Sequence, residues 1–147
     1  MIRFANAVDH TALSDVYQKI ADAVLAPAVF NWNTEKALQE LKVAKTLVYA
    51  NLGIIVSFIS FRESAEALEI TALGTIPICR KQGYLEALLL QLTDIAAQHD
   101  KPLWLEVHEL NSAARQLYQK WGFELVQNRK NYYPDGASTL VMTRSNV

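Results

Sequence analysis

Three groups of residues in this chain have types and spacings suited to chemistry. In Arg80-Lys81-Gln82-Gly83-Tyr84-Leu85, one glycine follows two cations and opens an apolar helical run. A strand that ends near Thr75, a tight turn and a helix beginning beside Gly83 would aim free backbone N–H groups and a helix dipole at an anion. Glycine permits a positive φ there and a close approach to the backbone. In Leu103-Trp104-Leu105-Glu106-Val107, strand alternation puts Trp104 and Glu106 on one face. Glu106 is a proton acceptor. Tyr118, twelve residues later in a helical stretch, is a phenolic proton donor that can fold back toward the end of that strand. Each has an ordinary reading too: a helix-entry turn with solvated cations, a surface carboxylate, a core aromatic.

The elements that must position these groups are legible from periodicity. Ile2 to Ala5 reads as a short strand. Asp9 is placed to cap a helix from about His10 to Val24, with Leu13, Val16, Tyr17 and Ile20 on one face. Pro27 breaks that pattern, and Asn33 or Thr34 caps a second helix carrying Ala37, Leu38 and Leu41. The runs TLVYA, IIVSFISF and ALEITALGTI are β-branched or alternating, and they are separated by turns at Asn51 to Gly53 and at ESAE. Leu85, Leu88, Leu89, Leu92, Ile95 and Ala96 then repeat at helical spacing, and DKP stops that helix. LWLEV follows as a strand. NSAARQLYQKW is a helix that Asn111 can cap and Gly122 can stop. FELVQNRKNYY and STLVMT are two last strands around a Pro134-Asp135-Gly136 turn. The element order, one strand, two helices, three strands, helix, strand, helix and two strands, predicts a mixed α/β sheet built as one domain over residues 1–147.

Bulk composition narrows the function classes. The chain has 147 residues, 51% apolar and 20% charged, which is ordinary for a globular domain. Fourteen basic and fifteen acidic residues leave a net charge of -1. No global field would draw the molecule to nucleic acid, so any anion site must be local. The single Cys79 allows no internal disulfide and fits a reducing cytoplasm. Apolar runs are far shorter than a membrane span. His108, with His10 and His99 distant in sequence, does not suggest a metal site.

Taken in order, these segments resemble the GCN5-related N-acetyltransferases (GNAT), and within them the RimI-type ribosomal-protein alanine N-acetyltransferases. LWLEV, N-x-A-A-x-x-L-Y-x-x-x-G-F and R-x-N-Y-Y-P stand in that family's order. Trp32-Asn33-Thr34-Glu35 loosely matches a further element near the front. The likeness is strong from Pro102 to Pro134 and weak before Ala67. It implies the α/β (α+β) GNAT fold, a central mixed, mostly antiparallel twisted sheet of about seven strands flanked by about four helices, and that Arg80, Lys81, Gln82, Gly83, Tyr84 and Leu85 form the turn for the coenzyme A pyrophosphate. By the same resemblance, Leu73, Gly74 and Thr75 run beside pantetheine, Asn111 contacts the coenzyme, Glu106 is the catalytic glutamate and Tyr118 the acid. Tyr132 and Tyr133 either wall a slot for a small first residue of the acceptor or only make cross-strand pairs in a hairpin, and Trp32 either joins that groove or packs the second helix. The family's second small residue is Leu85 here, which crowds a diphosphate unless its side chain points into the sheet.

The implied function is acetyl transfer from acetyl-CoA, without a metal, to a protein N-terminus. The implied acceptor is the N-terminal alanine of small-subunit ribosomal protein eighteen. The chemistry favours such an acceptor: freeing an α-amine of pKa near ~8 at pH 7 costs about 1.4 kcal/mol, against roughly 4.6 kcal/mol for lysine. A small-molecule amine or a lysine is the alternative acceptor, and an idle coenzyme A-binding scaffold the alternative class. The implied protein is cytoplasmic, a monomer or homodimer, and binds neither nucleic acid nor membrane.

Overall fold

The computed structural model describes residues 1–23, 32–132, 134 and 136–145. Its seven strands are β1 (Ile2–Phe4), β2 (Lys45–Asn51), β3 (Ile54–Glu63), β4 (Leu68–Thr75), β5 (Leu103–His108), β6 (Glu124–Arg129) and β7 (Thr139–Arg144). They form one sheet in the order β1-β2-β3-β4-β5-β7-β6. Only β4 and β5 run parallel; every other pair is antiparallel. Among the described residues four helices flank it: α1 (His10–Ala23), α2 (Thr34–Val43), α3 (Tyr84–Gln98) and α4 (Ser112–Lys120). The expected mixed sheet and helix count are what is found.

Two apolar cores lie on opposite faces of the sheet. On one, Leu13, Val16, Tyr17 and Ile20 of α1 and Ala37 and Leu41 of α2 pack on Val48, Phe58 and Ala72. On the other, Leu88, Leu89 and Leu92 of α3 and Tyr118 of α4 pack on Ile59, Ile70, Leu103, Leu105 and Val107. The helical spacing of each set puts its apolar residues on one stripe, and that stripe is what the sheet covers.

α1 begins at His10 as expected, but Asp9 serves the short 3-10 turn before it. Asn6 caps a short 3-10 turn at Ala7–Asp9, accepting from the Val8 N–H, and Asp9 accepts the Asn6 N–H in return. Arg3 claims the same carboxylate at 2.7 Å, which with the Asn6 bond holds it down at a pKa of about 2. The capping box therefore lies one turn earlier than periodicity alone suggests. Asn33 does cap α2, accepting the Lys36 N–H at 2.8 Å. Val24 and the break at Pro27 lie outside the described residues, as does Asp135 of the last turn.

One irregularity shapes the middle of the sheet. Ser60 pairs with Ala72 and Phe61 with Ile70, so Thr71 is an extra residue, a β-bulge. The bulge reverses the alternation of β4: Leu68 and Ile70 face the α3 core, whereas Ala72 faces the α1 core. It also marks where the parallel pair ends. β4 and β5 pair only from Leu68↔Leu103 to Ile70↔Leu105. Beyond that point the β4 main chain keeps β3 as its neighbour and has none on the β5 side.

Candidate active site

The split between the carboxyl ends of β4 and β5 opens a cleft of about 970 Å³. Of the sequence-derived site residues, Trp32, Leu73 to Thr75, Arg80 to Leu85, Glu106, Asn111 and Tyr118 all line it. Tyr132 is more than half exposed and is not among its walls, and Tyr133 lies outside the described residues.

The turn before α3 is an anion cradle by its backbone. Lys81 has φ 65° and Gly83 φ 82°, both left-handed. A 3-10 turn at Pro77–Cys79 leads in, with Cys79 and Arg80 bonding back to Ile76 and Pro77. The helix's own bonds begin only with the Ala87 N–H, donated to Gly83. The amides from Lys81 to Glu86 consequently have no acceptor among the described residues, and they converge at the positive end of the helix dipole. A Cβ added at Gly83 would meet nothing within 4 Å. Leu85 does not plug this turn: it is half-buried and packs against the α3-side core. Tyr84 is drawn outward, its ring against Tyr49 and its hydroxyl donating to Gln82 at 3.0 Å.

On β4, side chains are tied down and the main chain is left over. The Thr75 hydroxyl is buried against Ser57 at 2.8 Å, and Ser57 also donates to the Gly74 carbonyl. A Cβ on Gly74 would come within 2.5 Å of the Ile20 side chain, so the missing side chain lets α1 sit close on this strand. The unpaired β4 edge can accept an extended, amide-bearing ligand as a further strand would be accepted.

Glu106 and Tyr118 reach the split from opposite faces. Leu103, Leu105 and Val107 face the α3 core, so Glu106 projects to the α1 and α2 side. Its Oε1 accepts from Arg129 Nη1 at 2.8 Å, and Arg129 lies over the Trp104 ring at 5.9 Å. Tyr118 is set by the end of α4. Gly122 (φ 91°) and Phe123 donate back to Gln119 and Tyr118, a Schellman closure in which the Phe123 ring packs on Tyr118 at 5.9 Å. At the other end Asn111, which lines the cleft, caps α4 by accepting the Ala114 N–H. The Tyr118 ring is buried, yet its hydroxyl bonds to none of the described residues. Among the described residues no fully buried polar side-chain atom lacks a partner, so that hydroxyl opens on the cleft. Burial pushes the Tyr118 phenol up to about 12.

Trp32, expected either in the acceptor groove or packed on the second helix, instead sets its ring edge-on against Tyr17 of α1 at 5.2 Å and lines the cleft. Sequence reasoning missed Arg129, Arg62, Glu40 and Glu69, all charged, of which the last three line the cleft. Arg129 was visible in the R-x-N-Y-Y-P run, but its reach to Glu106 spans β7 and leaves no local signal. His108 is buried beside the cleft and its Nδ1 accepts the Leu110 N–H. Among the described residues no group of three metal-ligating side chains converges, and no helix is long and apolar enough to cross a membrane.

The arrangement can hold a diphosphate at the α3 turn, an extended amide chain along β4, and an electrophile at the split with an acid and a carboxylate on either side. The acetyltransferase (GNAT) family matches residues 12–123. A ribosomal protein bS18-alanine N-acetyltransferase from Haemophilus ducreyi is 34% identical over 89 residues, which span 60% of this chain and 61% of that enzyme. N-alpha-acetyltransferase 50 from Danio rerio is 27% identical over 78% of this chain and 71% of its own length. The crystal structure of the Escherichia coli ribosomal-protein-S18-alanine N-acetyltransferase has the same fold, with a TM-score of 0.80 at 24% identity over 98% of this chain and 93% of that one.

Proposed function

Because this chain belongs to the GNAT acetyltransferase family, we propose that it is a single-domain cytoplasmic enzyme, residues 1–147, that moves acetyl from acetyl-CoA to a protein N-terminal α-amine. The acceptor we assign is the N-terminal alanine of ribosomal protein bS18, the substrate in the name of the Haemophilus ducreyi relative. The observation that carries this reading is the split between β4 and β5, flanked by Glu106 on one face and Tyr118 on the other.

The free amides from Lys81 to Glu86 hold the pyrophosphate, with Arg80 and Lys81 adding charge. Leu73 to Thr75 pair with pantetheine through their main chain, and a β4 N–H polarises the thioester carbonyl. Asn111 offers its side-chain amide to the same ligand. Glu106, held by Arg129, takes the amine's proton through a water, while its other oxygen stays available. Tyr118 protonates the departing thiolate. Against a thiol of ordinary pKa, an acid near 12 would be mismatched by roughly 5 kcal/mol. The apolar wall that raises the phenol also destabilises the thiolate, which narrows that gap.

This acid has a consequence for pH dependence. A group whose proton affinity is raised stays in its donating form until pH approaches the raised value. With saturating peptide acceptor, kcat should therefore show no decline between pH ~8 and about pH 11. A decline that begins near pH 10 would contradict the Tyr118 assignment.

The acceptor is tested with peptides beginning Ala, Ser and Met, acetyl-blocked Ala, and free small amines. The expected result is fastest turnover of the Ala peptide, none of the blocked one, and kcat/KM for small amines lower by at least about 100-fold, since positioning supplies most of the rate. Turnover of small amines alone would overturn the protein-terminus assignment.

A further inference from the structure

Five charged side chains meet where the α2 side of the sheet borders the cleft, and four of them are paired. Glu40 of α2 accepts from both Nε and Nη2 of Arg62 on β3. Arg129 of β6 holds Glu106 of β5. Glu69 of β4 stands between them, opposite Arg62 in one ladder and Trp104 in the other. It lines the cleft, it is half-buried, and its carboxylate makes no hydrogen bond or ion pair with any described residue. Three carboxylates thus face two guanidiniums, leaving one negative charge uncompensated. Burial first, then the charge of Glu106, raises the proton affinity of Glu69; Arg62 and Arg129 oppose this and Glu40 adds to it. A partly desolvated carboxylate without a partner costs folding free energy, and nothing in the fold recovers it. What it lacks is a cation.

We propose that Glu69 is the specificity-determining residue of the acceptor half of the cleft, where it receives the acceptor's amine as an ammonium ion. The inference rests on the acetyltransferase reading above. Glu69 is one strand across and two residues along from Glu106, a separation of roughly 8 Å between backbone positions, which leaves room for one amino group and a water. The two carboxylates divide the work. Glu69 pairs with the charged amine as it binds. For reaction one N–H bond breaks and its proton passes through water to Glu106. The freed electron pair forms the C–N bond, the C–S bond breaks with its electron pair on sulfur, the sulfur takes the Tyr118 proton, and the acylated nitrogen gives its surplus proton to the phenolate so formed. Capture by Glu69 thus belongs to binding rather than to the chemical step, and its loss should appear in KM.

The test compares Glu69→Gln and Glu69→Asp with wild type on two acceptors: an amine-terminated peptide, and the same peptide ending in an aminooxy group, which is uncharged at pH 7. In Glu69→Gln, KM for the amine should rise at least about tenfold, with kcat within about twofold and KM for the aminooxy peptide nearly unchanged. Glu69→Asp should restore part of the affinity. The melting temperature of Glu69→Gln should hold or rise, because the unpaired charge is gone. An unchanged KM for the amine, or an equal rise for both acceptors, overturns the proposal. If wild type turns over only small amines, the protein-terminus reading falls, and Glu69 is judged by the same charged-against-uncharged comparison on those amines. A wild type inert toward every amine overturns both.

Discussion

Replacing Tyr118 by phenylalanine should lower kcat for acetyl transfer by about 100- to 1000-fold, the usual worth of a positioned general acid. KM for acetyl-CoA should stay within about twofold. The separation follows from how the residue is held. Its ring packs on Phe123 and Trp121, its carbonyl closes the end of α4, and both survive the change. The hydroxyl bonds to no described residue, so removing it orphans nothing and should leave the melting temperature where it was. A folded Tyr118→Phe protein with undiminished kcat would remove the acid from the mechanism.

The second large effect is expected at Gly83. Its left-handed φ of 82° tolerates aspartate better than most residues, and aspartate is a favoured helix N-cap. Gly83→Asp should therefore fold. Its carboxylate would stand at the amides assigned to the pyrophosphate. Repulsion between unit charges about 4 Å apart near a protein surface is about 4 kcal/mol, so KM for acetyl-CoA should rise by at least about 100-fold, equivalent to roughly 2.7 kcal/mol. Gly83→Ala isolates the backbone contribution: strain of about 1 kcal/mol without charge, and a loss of affinity of only a few-fold. Equal losses in the two variants, read from initial rates over a range of acetyl-CoA concentrations, would mean that the turn acts through its shape and holds no anion.

What could be read from the chain was what local periodicity encodes. The α1 stripe, the Asn33 and Asn111 caps, the Gly122 stop and the alternation of β5 all depend on residues within one or two turns of each other. They lie where expected. The bulge at Thr71 did not show, because it is defined against β3 and carries no glycine or proline of its own. Yet it turns the side chains of β4 over at the level where β5 departs, and so it shapes the cleft. Asp9 misled for a local reason: it has the chemistry of a cap, but Asn6 and Arg3 claim its carboxylate. The ion pairs Glu106–Arg129 and Glu40–Arg62 join residues on separate strands and a helix, so charge alone could not pair them. Leu85 broke the small-residue pattern of the turn, and only packing shows that its side chain lies against the α3-side core.

The most direct measurement is a crystal structure of the protein with acetyl-CoA. The diphosphate oxygens should lie about 2.7–3.2 Å from amide nitrogens between Lys81 and Glu86, with pantetheine on the free edge of β4. The thioester should stand in the split, with the Tyr118 hydroxyl on the sulfur side and Glu106 across from it. A nucleotide bound elsewhere, or an α3 turn that stays closed to it at saturating concentration, would contradict the account.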